Sequence, residues 1–175
     1  MTITFRSLTR SDFPRVIAWH RAPHAAKWFE RNSPVTLEDA EAYFGPCIDG
    51  ADPTRVHVLD IDGAPSGYLQ HYLVRDEPIY LAAVGHSDAA AIDFIIGDPA
   101  FVGRGIGPRV IRCYVEDVVR TANPGVPRII STPDPNNERS LRALEKAGFV
   151  RGPIVDVEGS PECVCVLDLL TAKGV

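Results

Sequence analysis

A chain of 175 residues, 45 % hydrophobic and 23 % charged, fits a single globular domain over 1–175 and can bury roughly 70 % of its unfolded surface. Its formal net charge of −5 argues against a nucleic-acid partner, which calls for a basic face, and suits a small cationic molecule drawn into a negative cleft. No apolar stretch approaches the ~20 residues of a membrane span, and Met1-Thr2-Ile3-Thr4-Phe5-Arg6 lacks the basic-then-apolar pattern of a secretory signal.

Residues 2–8 alternate as a strand, and Ser11-Asp12 then caps a helix holding Phe13, Val16, Ile17 and Trp19-His20. Pro23 to Pro34 reads as a loop carrying Trp28 and Phe29. Thr36-Leu37-Glu38-Asp39 starts a second helix in the manner of a capping box, running through Ala40, Tyr43 and Phe44. Val56–Ile61 and Gly67–Leu73 form a hairpin through Asp62-Gly63. Residues 76–90 read as irregular and hold Tyr80 and His86. A strand at 91–97 and a long helix at 105–121 follow, then a buried strand at 127–132, a short helix at 136–146 and closing strands at 149–157 and 162–170. The pattern is mixed α/β (α+β) with a mostly antiparallel sheet flanked by helices.

Between the strand and the long helix lies Val102-Gly103-Arg104-Gly105-Ile106-Gly107, followed by Pro108-Arg109. Glycine tolerates positive φ, so backbone N–H groups can turn inward here, toward the positive end of the helix dipole. That arrangement suits a phosphate. A P-loop would end in Gly-Lys-Ser/Thr, and a dinucleotide fingerprint would space its glycines G-x-G-x-x-G near the domain start. The chain has neither, and a glycine turn that only packs a helix on a sheet stays open as the alternative.

The loop has a companion in Asp134-Pro135-Asn136-Asn137-Glu138-Arg139-Ser140, running on to Glu145-Lys146-Ala147-Gly148-Phe149. Asn136 or Asn137 can cap a helix carrying Leu141 and Leu144, which Gly148 ends. Together the two segments resemble the GNAT superfamily of acyl-CoA-dependent N-acetyltransferases. The likeness is greatest to its aminoglycoside 6′-N-acetyltransferase branch, with Ala18-Trp19-His20, Lys27-Trp28-Phe29, Gly67-Tyr68-Leu69-Gln70 and Ala91–Ile95 adding to it. The resemblance implies the GNAT fold and acetyl-CoA (coenzyme A) as cofactor. The pantetheine arm would lie along Phe94, Ile95 and Ile96. The backbone of Val102, Gly103, Arg104, Gly105, Ile106 and Gly107, with Pro108 and Arg109, would hold the pyrophosphate, and Asn137 would touch the arm from the other side.

Direct transfer to an amine needs a neutral nucleophile, a polarised thioester and a proton for the leaving thiolate. Asp93 stands inside an apolar strand just before the cofactor-contacting residues, so it must find a partner or shift its pKa. It reads as an amine anchor or general base, or else as a satisfied structural Asp. Trp28, Tyr68, Tyr72 and Tyr80 are expected to supply flat walls for a substrate, and Asp76, Glu77, Asp88 and Asp93 to bind its ammonium groups, with Asp134 as a further anion.

Two departures stand out. The tyrosine that protonates the thiolate in many GNAT enzymes is replaced by Leu144, and the Asp that the branch carries at the end of the preceding strand is replaced by Thr132. An acetyltransferase acting on an aminoglycoside 6′-amine is the leading reading. A siderophore-assembly acyltransferase and a non-catalytic acyl-CoA-binding regulator are the alternatives. Cys47, Cys113, Cys163 and Cys165 show no Cys-x-x-Cys spacing and read as reduced hydrophobes, so no metal is expected. The expected setting is the cytoplasm, without membrane or nucleic-acid partners, as a monomer or a dimer.

Overall fold

The fold is taken from a computed structural model that describes residues 1–29 and 34–170. Its elements are β1 (Ile3–Ser7), α1 (Phe13–Arg21), α2 (Pro23–Ala26), α3 (Leu37–Asp49), β2 (Arg55–Ile61) and β3 (Ala64–Leu73). There follow α4 (Pro78–Val84), β4 (Ala89–Ile96), α5 (Gly107–Tyr114), α6 (Arg120–Ala122), β5 (Arg128–Ser131), α7 (Glu138–Ala147), β6 (Val150–Val157) and β7 (Ser160–Asp168). The strands form a seven-stranded sheet in the order β1-β2-β3-β4-β5-β7-β6. Pairing is antiparallel at β1–β2, β5–β7 and β6–β7, and parallel at β4–β5. No helix among the described residues is long and apolar enough to cross a membrane.

The chain packs as two compact units. The first holds Met1–Gln70 and Phe94–Ile106. Its core joins Phe13, Val16 and Trp19 of α1, Phe44 of α3, Val58, Tyr68 and Ile95. The capping box forms as the sequence indicates: the Thr36 hydroxyl accepts from the Asp39 N–H at 3.0 Å, and the Asp39 carboxylate accepts from the Thr36 N–H at 2.9 Å. Asp62 (φ 50°) and Gly63 (φ 81°) make the two-residue turn that joins β2 to β3. Asp12, 2 % exposed, accepts two hydrogen bonds from Arg6 and two from Thr9.

The second unit holds His71–Asp93 and the chain from Gly107 onward. Val74, Val84, Ala89, Ala91, Ile130 and Val164 form a core cluster there, with Tyr72 and Tyr80 packed against it. Three expectations are corrected. Residues 78–84, read as irregular, are the helix α4; Pro78 at its start and a left-handed Gly85 at its end are ordinary helix boundaries around one short, apolar-rich piece. The helix expected at 105–121 begins only at Gly107, and its regular turns give way to a π-helical stretch over Val115–Val119 before α6. Within the loop expected from Pro23 to Pro34, residues Pro23–Ala26 form the short α2; residues 30–33 lie outside the described residues.

Candidate active site

The glycine loop has the backbone its composition demands at two of three positions. Gly103 and Gly105 adopt φ of 77° and 72°, left-handed values that carry strain for any side chain, and open space lies where a Cβ would stand. Gly107 differs from the expectation of positive φ: it is the first residue of α5, with Pro108 buried behind it and Arg109 exposed. Val102 is part-exposed, Arg104 is exposed, and Ile106 is buried as the anchor of the loop. Upstream, Asp98 caps the turn at Pro99–Phe101 by accepting from the Ala100 N–H at 2.8 Å. The loop ends at Ile106, and an eight-residue helix begins at the next residue, Gly107.

Strand β4 outruns its parallel neighbour. Among the described residues it pairs with β5 over Ala89–Ala91 only, while the strand continues to Ile96. Phe94 and Ile96 are part-exposed and Ile95 is buried. The Ile96 carbonyl accepts from His24 Nε2 at 2.9 Å, which fixes that ring nitrogen as the protonated one. Gly67 is required beside this strand, because a Cβ there would stand 2.1 Å from the Ile95 carbonyl oxygen.

Asn137, not Asn136, caps α7: its side-chain oxygen accepts from the Ser140 N–H at 3.2 Å. The cap uses one lone pair of the carbonyl oxygen and leaves the amide NH2 as the donor side of Asn137. Asp134 organises the same loop by accepting from the Asn136 backbone and side chain at 2.7 and 3.1 Å.

A polar chain crosses the second unit. Tyr80 of α4 donates to the Thr132 hydroxyl at 3.1 Å, and Thr132 donates to Glu162 of β7. Tyr72 stands edge-on to Tyr80, with ring centroids 5.8 Å apart, and hydrogen-bonds its hydroxyl. Burial pushes the Glu162 carboxyl up to about 7; the Thr132 hydrogen bond opposes this, and the charges of Asp93 and Asp134 add to it. Burial also raises the Tyr80 and Tyr114 hydroxyls well above their ordinary range, and both feel the charge of Asp93. Tyr114, fully buried on α5, meets His71 Nδ1 at 3.0 Å. Asp93, part-exposed on β4, therefore shares one field with Asp134 and Glu162.

Glu162 was invisible to sequence reasoning. It lies some thirty residues past Thr132, among strand residues with no motif of their own. The one available signal is that Glu162, Val164 and Val166 alternate on a single face of β7, which puts a carboxylate among apolar partners.

Of the other expected acceptor residues, Tyr68 is a core residue of the first unit. It is 5 % exposed, packs edge-on to Phe44 and meets His20 Nε2 at 2.9 Å. Trp28, part-exposed in the same unit, lies under the Lys27 ammonium at 4.4 Å. Asp88 forms an ion pair with Arg128, so its charge is already matched. Leu144 is fully buried, and α7 offers no hydroxyl at that position.

The chain matches the family described as "Acetyltransferase (GNAT) domain" over residues 9–157. Aminoglycoside N(6′)-acetyltransferase type 1 of Klebsiella pneumoniae is 27 % identical to it, over 91 % of this chain and 80 % of that protein. Among solved structures, AAC(6′)-Ib in complex with coenzyme A and kanamycin superposes with a TM-score of 0.83 at 25 % identity, covering 97 % of this chain and 96 % of that one. AAC(6′)-Ib in complex with parmomycin and acetyl-CoA superposes with a TM-score of 0.87 at 24 % identity, covering 99 % and 97 %. A glycine loop opening a helix, a strand that outruns its neighbour and a match spanning most of the chain agree, and the protein belongs to the GNAT acetyltransferases.

Proposed function

We propose that this chain transfers an acetyl group from acetyl-CoA to the 6′-amine of an aminoglycoside, directly within a ternary complex. The observation that carries the reading is the placement of Asp93 on β4, immediately before Phe94–Ile96 and in the field of Asp134 and Glu162. A polycationic acceptor matches that field, and the relatives' names and bound ligands point to the same class.

The residues present fit the donor. Gly103 and Gly105 adopt left-handed backbone with open space where a Cβ would stand, so this loop would hold the pyrophosphate. Beyond Ala91 the edge of β4 has no β5 partner among the described residues, and at Phe94–Ile96 it would receive the pantetheine amides as an added strand, beside the Ile96 carbonyl that His24 holds. When bound, the thioester supplies the activated acetyl group. Asp93 orients the acceptor ammonium and takes a proton from it, leaving a neutral amine to attack. We place this activity in the cytoplasm.

Free-thiol release from acetyl-CoA tests the reading against a panel of aminoglycosides, polyamines, hydroxylated lysine and peptide N-termini. Turnover confined to aminoglycosides supports it. Turnover with the hydroxylated lysine alone transfers the chain to siderophore assembly, and CoA binding without turnover makes it a regulator.

A further inference from the structure

We infer that Glu162 is the carboxylate that receives an acceptor ammonium in this protein, doing from β7 what the resemblance assigns to an acidic residue at the position of Thr132. The inference rests on the amine-acceptor reading above.

Three observations converge on it. Thr132 directly follows the last residue of β5 and donates its hydroxyl proton to Glu162, so the point expected to hold a carboxylate does hold one, supplied by a neighbouring strand. The register fixes this: Ser131 faces Cys165, and the Cys163 N–H donates to the Pro133 carbonyl at 2.9 Å, holding β7 alongside the end of β5. Next, Glu162 is part-buried, and among the described residues no Arg, Lys or His pairs with it. The groups that face it are Thr132, Tyr80 on α4, Asp93 on β4 and Asp134 after β5, which are neutral or negative. Such a carboxylate lacks only a counter-cation. Finally, Tyr72, Tyr80 and Thr132 form a hydrogen-bonded series ending on Glu162, with two aromatic rings beside it. Rings and an anion together suit a polyhydroxylated, polyamino ligand.

The consequence is a specificity element moved across the sheet. Thr132 is then a positioning residue that holds Glu162, and adding a second acid at 132 crowds like charge beside it.

The test compares wild type, Glu162→Gln and the double variant Thr132→Asp/Glu162→Gln. Kanamycin is the acceptor, with thiol release for kinetics and calorimetry for kanamycin, spermine and CoA. Glu162→Gln is expected to raise the KM for kanamycin about 10- to 100-fold, the weight of one charged hydrogen bond. The kcat and the CoA affinity should stay within about threefold of wild type. The double variant, with a carboxylate restored on β5, should recover most of the lost KM. A structural role for Glu162 would instead lower the melting temperature and give no recovery. If kanamycin is not turned over, the acceptor reading fails separately, and spermine decides. Spermine binding that Glu162→Gln weakens upholds the inference. Spermine binding that is absent, or equal in both proteins, overturns it, as does an unchanged KM.

Discussion

In the proposed mechanism Asp93 and Glu162 divide two tasks that a single carboxylate handles poorly. A base must stand at the reacting nitrogen and take its proton, whereas an anchor must meet an incoming ammonium, whose charge favours the ionised form of the carboxyl. Asp93→Asn keeps volume and loses basicity, so kcat should fall roughly 10²-fold or more with CoA affinity kept; normal turnover in that variant would make Asp93 structural. Glu162 carries a stability cost of known sign. Its folded pKa, about 7, lies above the ordinary 4.5, so the folded state holds more protons than the unfolded state between those values. Stability from this group is therefore lost as pH rises from about 4.5 through 7. Glu162→Gln should raise the melting temperature at pH 8 and change it little at pH 4, and equal shifts at both would place the carboxyl in ordinary solvent. Loop glycines act through backbone alone. Gly105→Val puts a β-branched residue at φ 72° and should abolish measurable CoA binding in calorimetry with the fold kept, while wild-type affinity would reduce the loop to a packing turn.

The elements show how far sequence alone carries the architecture. Strong local signals were legible: the Thr36–Asp39 box, the Asp62-Gly63 turn, the Gly148 stop and the glycine loop all depend on neighbours within a few residues. The helix α4 escaped because seven residues are too few for a period to emerge, and the π-helical stretch because it is set by tertiary packing. The candidate site divides the same way. Asp93 and the loop were legible from their place beside motifs. Tyr68 was read as a substrate wall, yet its aromatic neighbours Phe44 and His20 come from α3 and α1, far away in sequence. Glu162 reaches Thr132 only through the β5–β7 pairing. Close packing also explains Gly67: its substitution by Ala drives a Cβ into the Ile95 carbonyl and should cost about 1–3 kcal/mol in chemical denaturation, whereas a neutral effect would mean that β3 shifts freely there.

For the whole molecule, the net charge of −5 is spent unevenly. Asp12, Glu41, Asp49, Asp88, Glu138 and Glu145 are tied to arginines, while Asp93 and Asp134 both place their charge on Glu162. A field of this kind draws in a polycation and weakens with salt, since exposed charges are screened over ~10 Å at 0.1 M. The central claim is that the field serves acetyl transfer to one particular nitrogen. It is tested most directly by incubating the protein with acetyl-CoA and two aminoglycosides that differ only in a 6′-amine or a 6′-hydroxyl, then weighing the products. The amine congener should gain one acetyl group at the 6′ position and the hydroxyl congener none, because a neutral alcohol is the poorer nucleophile and offers no ammonium to Asp93. Acetylation of both, of neither, or at another nitrogen would contradict the account.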